Sequence, residues 1–385
     1  MITAYVKPTN NCNVGCTHCY LPEAVRADKS RMTDVTLQAT ARFINEMGER
    51  GRHGGAHIVW HGGEPLTIPA EWFYKAGSVL DSVLPAHSES LQTSLIPLKP
   101  DHLHLLKERM NSFVGSSVDF SQRQIKGSVD AYHALWMNKV DMARGAGIFV
   151  VPGVVPTRNE VGRESQIVQW FVSRRFDAFN IDRYNAYGVS FPDRPSNLEH
   201  SYFLIGLFDA LMSEMDRTGS APMVGAIRGA ITGVLFGIGG DRWGGTCQSD
   251  FIVVEPDGSL NTCPDKASFE PSYANVADGF LEFAKSRFRR KWIRHQTLDH
   301  KKSYCSDCEN QHFCKSGCPI TPNGPEDGED ECSGYRSMLS HVRSFSLSAG
   351  GRAVMEAYLD QANRRPDIAA ATVYGGSPIS ESCAP

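Results

Sequence analysis

The chain has 385 residues, of which 41% are hydrophobic and 21% are charged, and its formal net charge is -4. This composition predicts a large core plus a smaller second unit, and the near balance of charge argues against a general nucleic-acid or membrane-surface binder. The apolar stretches are too short or too rich in glycine to span a bilayer, and the N-terminus lacks a signal-peptide pattern.

The first 190 residues alternate strand-like and helix-like segments. Strands are predicted near 2–7, 56–60, 90–94, 113–119, 148–155 and 177–182, and helices near 33–49, 70–84, 101–111, 130–146 and 163–174. Repeated strand-then-helix units indicate parallel strands with right-handed crossovers. Because eight such units close a full barrel, six predict an α/β fold with an open, partial (β/α)6 barrel over residues 1–190.

The rest of the chain divides into three further predicted parts. Residues 191–246 are expected to form a helical bridge that ends in a glycine-rich linker. A small cysteine-rich α+β domain is predicted over 247–345, and within it 251–258 has the pattern of a hairpin strand and its turn. A helix is expected near 337–364, followed by a polar tail. The last predicted part, residues 346–385, is the C-terminal helix and this tail.

Eleven cysteines are present, and ten of them fall into two closely spaced groups, while Cys383 stands alone. Close spacing in a chain of this size favours metal binding over disulfides, and therefore predicts a reducing, cytoplasmic location.

The first group is Cys12, Cys16 and Cys19, just past the first predicted strand. Parallel α/β folds place their chemistry at the carboxyl ends of strands. Three thiolates on one loop can bind three irons of a 4Fe–4S cluster and leave the fourth iron open to a substrate. A structural zinc ion normally takes four protein ligands, and His18 is the nearby candidate for a fourth. Spacing alone leaves open a zinc loop, or three unrelated thiols.

The CxxxCxxC spacing of this loop resembles the signature of radical S-adenosylmethionine (SAM) enzymes. In that resemblance His18 takes the place of an aromatic ring against the adenine of SAM. After the second strand, Gly62, Gly63, Glu64 and Pro65 match the GGEP motif, which meets the amino group of SAM. Glycines permit close backbone approach, and Glu64 can accept charge-assisted hydrogen bonds from an ammonium group.

Two further stretches resemble this family less closely. Residues 92–95 (QTSL) stand where relatives often have Q-T-N-G, and 117–120 (SVDF) stand where they often have S-x-D-G, so the Asn and Gly of those patterns are missing. The resemblance makes Gln92 and Ser117 cofactor-binding candidates and Arg123 a partner for the SAM carboxylate. Ordinary polar roles at strand ends remain the alternative.

The second group has seven cysteines, and their order resembles the SPASM domain, which carries auxiliary clusters in peptide-modifying radical SAM enzymes. The resemblance implies one auxiliary cluster on Cys247, Cys263 and Cys318 and another on Cys305, Cys308, Cys314 and Cys332. The first set is one thiolate short, so it takes another ligand, for which Cys383 is a candidate, or keeps an open iron. A zinc ribbon is the alternative. The cofactors implied are therefore three iron–sulfur clusters and SAM.

Through the resemblance, the expected chemistry is cleavage of SAM to a 5′-deoxyadenosyl radical, which abstracts hydrogen from a substrate carbon. Short words around the first loop and at 179–182 (FNID) resemble maturases that join an aromatic side chain of a ribosomally made peptide to a neighbouring residue as a cyclophane. The implied partners are a precursor peptide and a reductant such as flavodoxin or ferredoxin. Only eleven residues precede Cys12, so a leader peptide is expected to bind the main domain or a separate protein.

Asp182, Arg183 and Tyr184, at the end of the sixth strand, are the candidates for substrate contact, and Asp182 could accept a proton during an oxidative cross-link. A salt-bridged strand end is the alternative for all three. Two other enzyme functions also remain open: a sulfatase-maturase-like oxidation of a protein Cys or Ser, and a dehydrogenase or epimerase acting on a small molecule. A further alternative is a non-catalytic iron–sulfur or zinc regulatory protein.

Overall fold

The computed structural model describes residues 1–183, 191–240, 242–244, 247, 250–265, 271–298, 303–318, 320–365 and 367–368. These residues separate into two compact units. Unit 1 lies within 1–150 and 246–294, and unit 2 lies within 151–186, 190–245 and 295–385.

The described residues contain twelve strands, named here in chain order. They are β1 (Ile2–Val6), β2 (Gly15–Cys16), β3 (Ala56–Trp60), β4 (His87–Thr93), β5 (Phe113–Ser117), β6 (Arg123–Gln124), β7 (Phe149–Val154), β8 (Ala178–Ile181), β9 (Met223–Val224), β10 (Phe251–Val254), β11 (Ser259–Asn261) and β12 (Ala274–Asn275). All six strands predicted for the first 190 residues are confirmed.

The same residues contain fourteen α-helices. They are α1 (Glu23–Ala27), α2 (Asp34–Gly51), α3 (Ala70–Val83), α4 (Pro100–Glu108), α5 (Val129–Gly145), α6 (Glu164–Ser173), α7 (Asn197–Thr218), α8 (Gly225–Phe236), α9 (Gly279–Lys285), α10 (Arg287–Leu298), α11 (Ser303–Ser306), α12 (Gln311–Cys314), α13 (Arg336–Ser346) and α14 (Gly351–Arg364). The predicted helix at 337–364 is wrong as one element, because it is two helices. The chain breaks between them at Gly350, which takes the left-handed φ of 78° that glycine adopts at little cost.

Unit 1 is built on a sheet in the order β12-β11-β10-β1-β3-β4-β5. Strand β1 is central and pairs in parallel with β3 on one side and with β10 on the other, so that Val6 lies opposite both Trp60 and Val254. Strands β10 and β11 form the predicted antiparallel hairpin. Strand β3 is buried along its whole length, and it has a parallel neighbour on each side. The carboxyl ends of β1, β3, β4 and β5 therefore lie along one edge.

Unit 2 contains the parallel strands β7, β8 and β9, with Val154 opposite Ile181. Helices α6, α13 and α14 pack against α7. A capping box between Ser196 and Glu199 begins α7, and Gly219 ends it with a φ of 75°, which is the end that glycine favours. Together the units confirm an α/β class with largely parallel strands.

The segment after α8, expected to be a linker, contains a buried anchor. Trp243 is 1% exposed, and its indole N–H donates to the carbonyl of Gly334 at 2.9 Å. No helix among the described residues combines the length and the apolar character needed to cross a bilayer.

Candidate metal centre

Backbone hydrogen bonds from two other segments hold the loop that carries the first three cysteines. The N–H of Cys12 donates to the carbonyl of Arg26 at 3.1 Å, and the N–H of Thr17 donates to the carbonyl of Gln122 at 3.0 Å. Cys16 itself lies in β2, which pairs with β6 at Arg123. The three cysteines therefore have a defined backbone at the carboxyl end of β1.

The thiols of this loop lie close enough to influence one another. Burial raises the pKa of the Cys12 thiol to about 12, and the charges of Glu64, Cys16 and Cys19 act in the same direction. Burial also raises the pKa of Cys16, while Arg123 opposes the shift. A bare thiolate is thus disfavoured here, so a positively charged metal group is what would stabilise the thiolate form.

The donor set of the loop fits an iron–sulfur cluster, because thiols are the ligands that such clusters take. The thiolates of a four-iron cluster bind different irons, so three cysteines would leave the fourth iron open.

The glycines of the 62–65 motif lie directly against the backbone of the cysteine loop. A Cβ on Gly62 would overlap the carbonyl oxygen of Thr9, and one on Gly63 would overlap that of Asn10. The N–H of Gly63 donates to Thr9 at 3.1 Å, and the N–H of Glu64 donates to Asn11 at 2.8 Å. Gly62 also has a φ of 130°. These glycines are therefore required by the close approach of the loop, which refines the expectation that they serve a bound ligand.

Glu64 is 1% exposed, and protein donors surround its carboxylate. Oε1 accepts from the backbone N–H of Leu66 at 3.0 Å and from the hydroxyl of Thr93. Oε2 accepts from the N–H of Ser94 at 2.7 Å and from its hydroxyl. These donors occupy about four acceptor positions of the carboxylate, and the assignment of Glu64 to an ammonium group stays a prediction. The visible role of Glu64 is to join the end of β3 to the end of β4.

Asp119 contacts two of the sequence candidates, although it was not itself singled out. It is fully buried, and it accepts from the Nε of Arg123 at 2.6 Å and lies 3.4 Å from the Nε2 of His18. Ser117, two residues earlier, accepts through its carbonyl from the hydroxyl of Tyr132 at 2.9 Å. The sequence did indicate Asp119, because the SVDF stretch retains the Asp of the S-x-D-G pattern.

Gln92 lies on β4 opposite Gly115 of β5. Its side-chain oxygen fills the space that a Cβ on Gly115 would need. Gln92 thus lies across the neighbouring strand, near the edge that carries the cysteine loop.

A buried ion pair lies beside the loop, and sequence reasoning missed it. The Nζ of Lys7 is 2.7 Å from Glu255, with the two side chains 0% and 13% exposed. Glu255 also accepts from the side chain of Asn10 at 3.0 Å, and Lys7 lies 5.2 Å from the ring centre of Tyr20. Only the pairing of β1 with β10 brings these residues together, and no local pattern announces it.

Unit 2 brings together the four cysteines assigned to the second auxiliary cluster. Burial raises the pKa of the Cys314 thiol to about 12, and Cys332, Cys308 and Cys305 are near enough to raise it further. A Cβ on Gly334 would overlap the sulfur of Cys314 and lie 3.9 Å from that of Cys332.

The other auxiliary set is divided between the units. Cys247 and Cys263 are half-buried residues of unit 1, and Cys318 is a half-buried residue of unit 2. Cys383, the candidate for an additional ligand, lies outside the described residues. The assignment of this set to one cluster stays a prediction.

Of the three candidates for substrate contact, the structure describes Asp182 and Arg183, and Tyr184 lies outside the described residues. The N–H of Asp182 donates to the carbonyl of Val154 at 2.9 Å. The guanidinium of Arg183 donates to the hydroxyl of Tyr335 at 3.2 Å and hydrogen-bonds to Cys318. Arg183 therefore faces a cysteine of the second group.

Comparison with known proteins identifies the N-terminal part. Residues 6–165 match the family model described as the radical SAM superfamily. An uncharacterized protein of Archaeoglobus fulgidus is 29% identical over 135 residues, which are 34% of this chain and 30% of that protein. The chain thus spans under a third of this curated relative.

Two solved structures share the fold over most of this chain. Native anSMEcpe with bound AdoMet and Cp18Cys peptide is 19% identical, with a TM-score of 0.75 over 92% of this chain and 98% of that one. SuiB of Streptococcus suis bound to precursor peptide SuiA is 13% identical, with a TM-score of 0.58 over 83% of this chain and 72% of that one.

Proposed function

We propose that this radical SAM enzyme, whose radical SAM domain covers residues 6–165, abstracts hydrogen from a ribosomally made peptide and cross-links an aromatic side chain to a nearby residue. The observation that carries the radical SAM part is the contact between two motifs. The three-cysteine loop and the 62–65 motif are joined backbone to backbone, at the edge where β1, β3, β4 and β5 end.

In this proposal Cys12, Cys16 and Cys19 hold the catalytic cluster, and the remaining cysteines of both units hold the auxiliary groups. When bound, these groups and SAM would supply a 5′-deoxyadenosyl radical and an electron acceptor. The chain's own residues position the loop and exclude water. Glu64 and the two glycines fix the loop, and the buried Asp119 orients His18 and Arg123 towards it.

Removing two hydrogens from a peptide requires a place for one proton. Asp182 follows β8, one residue after Ile181, at the carboxyl end where parallel folds place their sites. A carboxylate at such a position can accept a proton released during bond formation. Tyr184 is the second proposed substrate contact, and Arg183, the third candidate, lies beside Cys318.

Support for a peptide substrate comes from the fold neighbours, since the two solved relatives were each captured with a peptide. The clustered thiols support a reducing, cytoplasmic location. A flavodoxin or ferredoxin would serve as reductant, and a separate leader-binding protein is a further proposed partner.

The first test is whether SAM is cleaved. After anaerobic reconstitution with iron and sulfide, the protein should convert SAM to 5′-deoxyadenosine in the presence of dithionite. The variant in which Cys12, Cys16 and Cys19 are all alanine is the matched control and should form none. If the reconstituted protein carries iron but yields no 5′-deoxyadenosine, the enzyme proposal fails.

The second test concerns the product. Co-expression with a short aromatic-containing peptide encoded beside this gene should yield a peptide that has lost two hydrogens per cross-link, with fragmentation blocked between the joined residues. An unchanged mass would exclude oxidative cross-linking.

A second candidate is aldehyde formation on a protein Cys or Ser. The observation that favours this candidate is the structural alignment with anSMEcpe, which covers 98% of the anSMEcpe chain. A product that reacts with a hydrazide probe and fragments normally would favour this candidate over the cross-link.

A further inference from the structure

We propose that Arg183 is a positioning residue for Cys318: it holds the cysteine sulfur in place and sets a fixed positive charge beside the auxiliary group bound there. The inference rests on the proposed function, in which Cys318 is a ligand of an auxiliary iron–sulfur cluster.

Arg183 connects two residues that are distant from it in sequence. It follows β8 by two residues, and its guanidinium donates to the hydroxyl of Tyr335 at 3.2 Å while hydrogen-bonding to Cys318. A guanidinium has five N–H donors in a rigid plane. It can therefore fix the position of a sulfur atom that a flexible side chain would leave free to rotate.

Tyr335 is itself fixed, which makes it a firm support for Arg183. It is fully buried, with a left-handed φ of 56°, and its N–H donates to the carbonyl of Cys332 at 3.1 Å. Its ring lies 4.9 Å from that of His200, centre to centre. The carbon of the Arg242 guanidinium is 5.8 Å from the ring centre.

The surroundings of Tyr335 carry positive charge. Arg242 donates to the Nε2 of His200 at 3.0 Å and to the carbonyl of Ile181 at 2.6 Å. Burial, together with Arg242, Arg183 and Arg194, holds the pKa of His200 well below its ordinary value of 6.5. His200 is therefore neutral and adds no charge, so the guanidiniums set the local field.

The backbone on either side also holds Cys318. Gly317, the preceding residue, packs so closely on the carbonyl of Ser333 that a Cβ would overlap it. The hydroxyl of Ser333 donates to the carbonyl of Ser316 at 2.6 Å. Residues 316–318 and 333–335 therefore form one packed assembly, and Arg183 joins its two ends.

The functional consequence follows from charge. The reduction potential of an iron–sulfur cluster depends on its net charge and on hydrogen bonds to its sulfurs. A cation beside a cluster stabilises the more negative, reduced form. Arg183 should therefore raise the midpoint potential of this cluster, as suits a group that accepts an electron.

The test uses the full chain with alanine at Cys12, Cys16 and Cys19, so that iron bound in the auxiliary regions is observed alone. Arg183→Gln and Arg183→Lys are compared with Arg158→Gln, which removes an exposed arginine of the same unit whose charge is paired with Glu199. Iron and sulfide content, and redox titration followed by electron paramagnetic resonance, are measured without any peptide.

The proposal expects Arg183→Gln to shift the midpoint of one cluster to a more negative potential, or to lose the iron of that one cluster. Arg183→Lys should recover most of the iron, and Arg158→Gln should match the parent. Full iron content with an unchanged or more positive midpoint in Arg183→Gln would overturn the proposal.

Failure of the proposed function gives different results. If the parent with three alanines binds no iron, the auxiliary-cluster part of the proposed function fails, and the role of Arg183 fails with it. If the parent binds iron and Arg183→Gln behaves like Arg158→Gln, only the role of Arg183 fails.

Discussion

The two cysteine regions hold their thiols by different means. In unit 1, three cysteines on one short loop are held by the backbones of other segments, with Gly62 and Gly63 pressed against the loop. In unit 2, cysteines spread over 305–332 are held by close packing on Gly334 and by the guanidinium of Arg183. The three cysteines of the first region are half-buried, whereas Cys305, Cys314 and Cys332 of the second are buried.

The largest expected difference between the regions is in SAM cleavage. Cys16→Ala should abolish 5′-deoxyadenosine formation while iron in the auxiliary regions persists, because it removes a thiolate from the three-cysteine loop. Cys314→Ala should lower the iron content but retain SAM cleavage. The measurements are iron analysis and chromatography of the nucleoside. Equal loss of cleavage in both variants would contradict the division of roles.

The next largest effect concerns buried ion pairs. Lys7→Met leaves Glu255 without its cation in the interior and should lower the free energy of unfolding by about 3–5 kcal/mol. Lys7→Met combined with Glu255→Met should recover much of this, since no unpaired charge remains. Urea unfolding of the metal-free protein measures both.

The exposed pair of Lys75 and Asp34, with side chains 56% and 59% exposed, is the matched control. Lys75→Met should change stability by less than about 1 kcal/mol. If Lys7→Met lowered the free energy of unfolding by as little as Lys75→Met does, the buried pair would not support the loop.

A smaller loss is expected from a methyl group on the loop's supporting glycine. Gly62→Ala creates overlap with Thr9 and an unfavourable φ, so it should cost about 3 kcal/mol in urea unfolding. Gly127→Ala is the control, since its φ is 79° in open space, and it should cost about 1 kcal/mol. Equal costs would show that overlap with the loop is unimportant.

Gly334 of unit 2 provides a second comparison between the two cysteine regions. Gly334→Ala places its methyl group on the sulfur of Cys314. It should therefore reduce the iron content of the auxiliary regions, whereas Gly62→Ala should reduce SAM cleavage. A reversed pattern, measured by the same two assays, would count against the assignment of roles to the regions.

The smallest effect is a dependence on pH. Burial, with Lys7 and Arg123, lowers the pKa of His61 from 6.5 to about 3. The unfolded chain therefore binds a proton that the folded chain does not, and stability should fall as the pH drops from 6.5 towards 3. Between pH 6.5 and pH 5.5 the loss should be about 1 kcal/mol.

His61→Phe keeps the stacking on Tyr5, whose ring centre is 5.2 Å away, and should remove this part of the pH dependence in urea unfolding. His200→Phe in unit 2 should instead lose stability at neutral pH as well, because Arg242 donates to His200. An unchanged pH profile in His61→Phe would contradict the buried, neutral state of that ring.

Sequence patterns predicted the local elements of this fold. The six strands, the helices between them and the β10–β11 hairpin follow from periodicity and turn residues within short windows. The helix break at Gly350 was missed although glycines mark it, because the apolar pattern continues on both sides of the break.

The side-chain partners could not be predicted in the same way. Lys7 meets Glu255, and Arg183 meets Tyr335 and Cys318, through strand pairing and loop packing between distant segments. The motif assigns Glu64 to a ligand, which stays a prediction, but it did not indicate that the carboxylate also binds the end of β4. A motif identifies a position, whereas its contacts depend on the whole fold.

The pairing of β1 with β10 has a consequence for how the protein folds while it is being synthesised. During synthesis, the edge of β1 that pairs with β10 has no partner until residues 251–254 have left the ribosome. Lys7 likewise has no Glu255 to pair with until then. Long-range strand pairing of this kind forms slowly and exposes a strand edge meanwhile. We therefore expect nascent chains that end before residue 251 to be bound by chaperones and to take up iron poorly, although the complete three-cysteine loop has already been made.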